Sequence, residues 1–267
     1  MLELIKAVAL GVIQGITEWL PISSTGHMIL FDKFVKMNVS EAFKEMFFVI
    51  VQLGSIMAVV VLFFKKLNPF LRSKSKEEKM DTYSMWFKVA VASIPAVLFG
   101  VFLDNYLKDI YNHVVVSVSL IVYGVIFIII ENMNKKERIK SIKDLDYKTA
   151  FLIGIFQVLA LIPGTSRSGS TIIGAMILGA SRSVAMEFTF FLAIPVMFGA
   201  SFLKLIKYNI AFQGLELAIL LLGSLVAFLV SLVVIKFCMK FVKNHDFKVF
   251  GYYRILIGGL ILVYFLA

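Results

Sequence analysis

Six apolar stretches of membrane-spanning length dominate this sequence and restrict what the chain can fold into. A helix needs about 20 mostly apolar residues to cross a bilayer, and six stretches come close to that length: residues 47–64, 85–103, 114–131, 186–206, 215–237 and 251–267. Backbone polar groups in lipid must find their hydrogen-bond partners within the protein, which favours helices. The sequence therefore predicts an all-α, multi-pass membrane protein.

The composition supports this class and excludes others. The 267 residues are 60% hydrophobic and only 16% charged, whereas soluble domains are about a quarter charged. The net charge of +10 is typical of nucleic-acid binding proteins, but most basic residues fall in short loops between apolar stretches. That distribution is typical of cytoplasmic loops, so anionic lipid headgroups, and not nucleic acids, are the expected partners. A single cysteine, Cys238, excludes an internal disulfide.

Two further apolar segments, residues 1–45 and 149–181, are each interrupted near the middle by proline and small polar residues. Each segment is long enough for two short helices joined by a loop. Irregular backbone at membrane depth is tolerated where protein or a water-filled cavity covers it. We therefore expect two re-entrant helical hairpins, which enter the bilayer, turn and leave on the same side.

Loop charges predict the orientation. The loops 65–81, 132–148 and 241–250 are rich in lysine and arginine, with Arg254 close to the third, whereas 104–113 and 207–214 carry only Lys108 and Lys207. Basic loops tend to be cytoplasmic, so both termini are predicted outside. Each half then holds one broken segment and three spans, an odd number, so the halves are inverted. The prediction is a single membrane domain over 1–267, with halves of about 1–131 and 149–267 joined by the cytoplasmic loop 132–148.

The first broken segment contains a polar motif, residues 14–27, which we call motif 1. Gln14 and Glu18 are four residues apart and share a helix face, and Pro21 ends or kinks that helix. A cluster of hydroxyl residues follows and offers N-caps for a second half-helix: Ser23, Ser24 and Thr25. If that helix begins near Ser24, His27 lies one turn along, close to its hydroxyl. A carboxylate at membrane depth is costly and functional by default.

The second broken segment contains motif 2, residues 157–171. Pro163-Gly164 predicts a turn, and Arg167 follows it at the start of another half-helix. Arginine binds phosphate in a bidentate manner, and a helix N-terminus with hydroxyl groups completes an anion site: Ser166, Ser168 and Thr171. The spacing does not match a Walker loop, so motif 2 predicts a phosphate group without predicting a nucleotide.

Together the motifs resemble the two signature motifs of the undecaprenyl-pyrophosphate phosphatase family, also called the bacitracin-resistance family. Motif 1 matches as Gln14 and Glu18 followed by Pro21 through His27, and motif 2 as Pro163 through Thr171. The resemblance implies removal of the terminal phosphate of a C55 polyprenyl diphosphate, which gives the monophosphate lipid carrier for cell-wall precursors. It also implies a divalent cation, Mg²⁺ or Ca²⁺, in a bacterial plasma-membrane enzyme. Gln14 takes the amide alternative of the motif, and an amide binds such ions less well than a carboxylate.

The expected roles are these. Ser24 is the nucleophile, with a neighbouring base; Glu18 and His27 share acid and base work; Glu18, helped by Gln14, holds the metal. Arg167 stabilises charge during transfer, and the phosphates contact a set of hydroxyl groups: Ser23, Thr25, Ser166, Ser168 and Thr171. A phospho-histidine intermediate on His27 remains an open alternative.

Several alternatives stay open at this point. The architecture is shared with transporters, so a polyprenyl-phosphate transporter or flippase is the rival function. Gln14 and Glu18 could instead be a buried polar pair between helices, and the serines could only cap helices. Glu187 is expected to form a salt bridge with Arg182 near the interface. The cavity is predicted to open to the extracytoplasmic side, and the sequence leaves open whether the chain forms a homodimer.

Overall fold

We analysed a computed structural model of the chain, which describes residues 1–109, 112–133, 135–208 and 214–266. Within these ranges the chain folds into α-helices, one 3-10 helix (Leu159–Leu161) and no β-strand. The helices are α1 Leu2–Thr17, α2 Ser24–Val35, α3 Glu41–Leu62, α4 Phe64–Leu67, α5 Lys76–Asp109, α6 His113–Asn132, α7 Tyr147–Val158, α8 Arg167–Ile177, α9 Arg182–Tyr208, α10 Gly214–Phe241 and α11 Lys248–Leu266. The prediction of an all-α fold is confirmed.

Six of these helices are long and apolar enough to cross a membrane: α3, α5, α6, α9, α10 and α11. They correspond one to one with the predicted spans, but most extend beyond the apolar residues. The largest extension is in α5, which begins at Lys76 because Glu77 and Glu78 favour the positive end of the helix dipole. The charged stretch 74–79, expected to be a loop, therefore starts a helix.

Both interrupted segments form pairs of short helices, as predicted. In the first, α1 ends at Thr17 and α2 begins at Ser24. In the second, α7 and the 3-10 helix end at Leu161 and α8 begins at Arg167. The chain thus turns at Pro21 and Pro163, where the sequence predicted the breaks. Insertion of these hairpins into a bilayer stays a prediction.

Corresponding spans of the two halves pack against each other in opposite directions. In the pair α3 and α9, Glu45 forms an ion pair with Lys204 at 2.8 Å, whereas Phe63 at the other end contacts Phe191 with ring centroids 5.2 Å apart. Residue numbers increase along α3 in the direction in which they decrease along α9, so the two helices run antiparallel. This is the arrangement that inverted halves require.

The pair α6 and α11 repeats this arrangement. Gly124 of α6 lies against Gly251, near the start of α11, and Gly258, further along α11, lies against Ser117. Helix α1 also packs on α10, and its counterpart α7 packs on α5. The contacts between the halves therefore come in corresponding pairs, although the boundaries of the predicted halves remain a prediction.

Two ion pairs hold the lysine-rich ends of the helices. Glu131 at the end of α6 accepts two hydrogen bonds from Arg182 Nε, at 2.9 and 3.1 Å, and one from its Nη2 at 2.5 Å. Glu187 pairs with Lys66 at 2.5 Å. The expected bridge between Glu187 and Arg182 is therefore wrong, because Arg182 is satisfied by the buried Glu131.

Candidate active site

Motifs 1 and 2 form the same local turn. Ser23 and Ser166 are the N-caps of α2 and α8, and their hydroxyl groups accept hydrogen bonds from Gly26 N (3.3 Å) and Gly169 N (3.1 Å). Their φ angles are +73° and +75°, and within the described ranges they are the only residues other than glycine with positive φ. Such backbone costs about 1–3 kcal/mol per residue and concentrates at functional sites.

The two turns meet at the side chain of Glu18. Its Oε1 accepts a 2.8 Å hydrogen bond from Arg167 Nη2, which joins motif 1 to motif 2. Its Oε2 accepts hydrogen bonds of 2.8 Å from Gln14 Nε2 and from Ser24 Oγ. Glu18 is only 7% exposed, and a buried carboxylate needs such partners because desolvation of a charge is costly. The two motifs therefore converge on one carboxylate in the fold.

A cavity of about 230 Å³ opens beside this cluster. Its walls include Glu18, Arg167 and the two N-cap residues Ser23 and Ser166. The α3 residue Gln52 also lines it, and the remaining walls are mostly apolar residues of the 159–164 turn and of α9. The cavity therefore offers a guanidinium, a carboxylate and hydroxyl groups to a ligand with an apolar tail.

His27 contacts the backbone of motif 1 and not the nucleophile candidate. Its Nδ1 lies 2.8 Å from Ser23 O, so Nδ1 carries the hydrogen, because a carbonyl can only accept. Its Nε2 lies 2.7 Å from the hydroxyl of Tyr253, whose ring is parallel to the imidazole at 5.6 Å between centroids. Ser24 instead donates to Glu18. The sequence predicted that His27 lies close to the Ser24 hydroxyl, and the structure pairs that hydroxyl with Glu18.

Two of the predicted phosphate contacts, Ser168 and Thr171, do not line the cavity. Ser168 Oγ lies 3.1 Å from Ser166 Oγ and within 3.4 Å of carbonyl oxygens of motif 1, and is buried. Thr171 is fully buried and shares a 2.8 Å hydrogen bond with the hydroxyl of Thr189. Ser168 therefore joins the two turns, whereas Thr171 joins α8 to α9. The side chain of Thr25 lies outside the described residues.

A buried arginine ties both turns to the helices behind them. Arg254 of α11 is 0% exposed and donates to Pro21 O of motif 1 (3.1 Å) and to Gly164 O (3.0 Å) and Thr165 O (2.9 Å) of motif 2. It also donates to Ser119 and Leu120 carbonyls of α6, both at 3.4 Å. Counting Arg254 among the basic residues near the cytoplasmic loop was wrong, because its guanidinium satisfies carbonyl groups that the irregular turns leave unpaired.

The sequence reasoning missed Tyr253 and Arg254, although one signal was present. Arg254 lies within the apolar stretch that ends the chain, and an arginine in such a stretch is functional by default. Tyr253 and Gln52 gave no comparable signal, because tyrosine and glutamine are ordinary in a span end or between helices.

A divalent cation would have to be shared with the substrate at this site. Across the part of the chain that the structure describes, no three His, Cys, Asp or Glu side chains are placed to hold a metal together. Glu18 offers one carboxylate, and the amide nitrogen of Gln14 donates to it, which leaves the amide oxygen of Gln14 as the other ligand atom. Mg²⁺ is usually bound by one or two carboxylates together with substrate phosphates, so these residues fit a cation bridged to a diphosphate.

Comparison with known proteins shows the family of the chain. Residues 7–260 match the family model described as bacitracin resistance protein BacA. An undecaprenyl-diphosphatase of Acetivibrio thermocellus is 58% identical over 100% of this chain and 99% of its own length. One of Desulfitobacterium hafniense is 56% identical over 100% and 98%, and undecaprenyl-diphosphatase 1 of Clostridioides difficile is 57% identical over 99% and 97%.

Proposed function

The chain belongs to the bacitracin resistance protein BacA family, and from this membership and its site we infer that it is an undecaprenyl-diphosphatase of the membrane. Relatives of that name cover nearly the full chain at 54–58% identity. The comparisons do not support the rival function of a transporter. The product is undecaprenyl monophosphate, the lipid carrier for cell-wall precursors.

The hydrogen bond from Ser24 Oγ to Glu18 Oε2, at 2.8 Å, carries the proposal. A serine hydroxyl is a weak nucleophile until an adjacent base takes its proton, and Glu18 is that base. Ser24 Oγ attacks the terminal phosphorus, and the bond from phosphorus to the bridging oxygen breaks. The bridging oxygen leaves with the electron pair as part of the lipid monophosphate and takes the proton that Glu18 received.

Water completes the cycle by the reverse route. Glu18 accepts a proton from a water molecule, whose oxygen attacks the phosphorus of the phosphoserine. The bond from phosphorus to Ser24 Oγ breaks, Ser24 Oγ takes the proton back from Glu18 across their 2.8 Å contact, and inorganic phosphate leaves. Arg167 borders the same cavity as Glu18, so its guanidinium can follow the phosphoryl group through both transfers and stabilise the charge on its oxygens. Its second nitrogen, Nη1, is fixed by a 3.0 Å hydrogen bond to Thr189 O, which keeps the guanidinium oriented.

The proposed ligands of a divalent cation are Glu18 and the amide oxygen of Gln14, together with the diphosphate. Such an ion, when bound, neutralises the phosphate oxygens and aligns the leaving group. The reaction steps above depend on the serine, the carboxylate and the guanidinium.

The cavity is proposed to face the extracytoplasmic side. The lysine-rich loops adjoin the N-terminal end of α9, where Glu187 pairs with Lys66. The cavity instead contacts α9 at Val196, Met197 and Ala200, and ten residues of helix correspond to about 15 Å. If the lysine-rich loops are cytoplasmic, the catalytic cavity lies toward the other face.

Trapping the phosphorylated enzyme tests the nucleophile. We expect Ser24→Ala to lower phosphate release from undecaprenyl diphosphate by at least about a hundred-fold, as for loss of a nucleophile and its base. It should also abolish the phosphoserine seen by mass spectrometry after an acid quench, and a parallel alkaline quench preserves any phosphohistidine for the same measurement. Ser40→Ala, which removes the N-cap serine of α3, is the matched control and should stay active. A wild-type rate in Ser24→Ala, or label on His27, would refute the assignment and favour the phospho-histidine route.

A further inference from the structure

A second cavity of about 760 Å³ is larger than the catalytic one, whose volume is about 230 Å³. It lies among the loops 65–81 and 140–143 and the first turns of α5 and α9. Three acidic side chains line it, Glu78, Asp81 and Glu187, against a larger set of lysines: Lys65, Lys66, Lys74, Lys88, Lys140 and Lys143. Its walls therefore carry an excess of positive charge, and we call it the lysine cavity.

The acidic residues leave part of this charge unpaired. Glu187 is engaged by Lys66 at 2.5 Å, and Asp81 forms an ion pair with Lys143. Within the described ranges, Lys65 and Lys140 form no ion pair, and both are exposed. These two side chains are available to a mobile anion.

Lys88 is the most unusual wall residue. It lies twelve residues into the membrane-spanning helix α5 and is only 5% exposed. Its ammonium donates to two backbone oxygens, Ile142 O at 3.1 Å and Lys143 O at 3.2 Å, and no carboxylate of the described residues pairs with it. An ammonium has three donors, so one remains. The nearby carboxylates of Asp81, Asp144 and Asp146 act on Lys88 only from beyond ion-pair distance, and a buried cation without a direct ion-pair partner is costly. An anion in the cavity would supply an acceptor for the third donor and a negative charge beside the ammonium.

An aromatic layer separates the lysine cavity from the catalytic cavity. Phe191 lines the lysine cavity, and its ring packs edge-on against Phe63 at 5.2 Å between centroids. Phe63 also contacts Phe190 at 6.4 Å, and Phe190 packs on Trp19 at 5.1 Å. Trp19 is the neighbour of Glu18 in the chain, so the layer reaches the catalytic cluster and the two cavities are distinct.

From this juxtaposition we propose that the lysine cavity binds a phosphate-bearing anion, held by buried Lys88 and by Lys65 and Lys140. Phosphate oxygens accept charge-assisted hydrogen bonds from lysine, and an apolar wall such as Phe191 is compatible with a lipid glycerol. Two sources share this chemistry, the headgroup of an anionic phospholipid and inorganic phosphate.

Two measurements on the full-length protein in detergent distinguish the sources. Native mass spectrometry with added phosphatidylglycerol, and with phosphatidylcholine as the neutral comparison, reports a bound lipid. A titration with inorganic phosphate, followed by calorimetry, reports the free ion. We expect one of the two anions to bind, and Lys65→Gln combined with Lys140→Gln to weaken that binding about ten-fold or more, as for loss of charge-assisted contacts.

Lys240→Gln combined with Lys243→Gln is the matched control, since both lysines are exposed and lie outside the cavity. It should bind like the wild type, and phosphate release from undecaprenyl diphosphate should be unchanged in both double variants. Lys88→Met should also lose binding if it folds, as judged by gel filtration. Binding of neither anion, or equal weakening in the cavity and control variants, would overturn the proposal.

Discussion

Replacing Tyr253 by phenylalanine tests what His27 does. The substitution removes only the hydroxyl that lies 2.7 Å from His27 Nε2 and keeps the ring that is parallel to the imidazole. With Nδ1 donating to Ser23 O, His27 is fixed at both nitrogens, and it fixes the N-cap residue that precedes Ser24. We expect the loss of the hydroxyl to loosen the backbone that carries the nucleophile.

The magnitude follows from the buried nitrogen that the substitution leaves behind. His27 is 5% exposed, so Nε2 would lose its partner in a place with little access to water. An unsatisfied buried acceptor costs about 1–3 kcal/mol. If that cost is expressed in the transition state, where the placement of Ser24 matters most, the turnover number falls about five- to 150-fold, and KM changes little because the phosphate contacts remain.

Phosphate release from undecaprenyl diphosphate, measured over a range of substrate concentrations, separates kcat from KM. Tyr252→Phe is the control, since Tyr252 is the neighbouring residue and is 59% exposed. It should match the wild type. A kcat in Tyr253→Phe equal to or above that of the control would refute the reasoning, and an increase would favour His27 as nucleophile, because Nε2 is then free to attack.

Two further predictions concern stability, measured as thermal unfolding in detergent. Arg254→Lys supplies at most three donors to five carbonyl oxygens, so it should cost about 2–6 kcal/mol and lower activity; unchanged stability would show that the buried guanidinium does not hold the turns. Gly164 has a φ of +87°, and a Cβ there would lie 2.4 Å from Val116 O, so Gly164→Ala should cost at least about 2 kcal/mol. Gly199→Ala in α9, with nothing within 4 Å, should be neutral or stabilising, and equal unfolding of the two variants would contradict the argument.

The architecture was predictable because membrane physics leaves few choices. Apolar length predicts a span, Pro21 and Pro163 predict a break, and loop charge predicts which ends lie together. Each rule depends on local sequence alone. The odd number of spans in each half predicts inverted halves, and inversion brings the two motifs to face each other. The ion pair between Glu18 and Arg167 is visible only in the structure.

What could not be predicted depends on side chains that meet across the fold. Nothing in the sequence around Tyr253 shows that its hydroxyl reaches a histidine more than two hundred residues away. The sequence suggested that Glu187 pairs with Arg182, the arginine nearest to it in the chain. In the structure Arg182 pairs with Glu131, and Glu187 pairs with Lys66. Ser168 could either contact phosphate or join the two turns, depending on the direction of its hydroxyl group. The spacing of residues in the sequence does not determine that direction.

The aromatic layer between the two cavities has a consequence for the cell that houses the enzyme. Both cavities are wide enough for water, and together they extend into the protein from regions far apart along α9. The packed rings of Trp19, Phe63, Phe190 and Phe191 lie between the two. Apolar rings offer no hydrogen-bond partners to hydrated ions or to a continuous chain of water molecules, so this layer opposes a leak of protons through the protein.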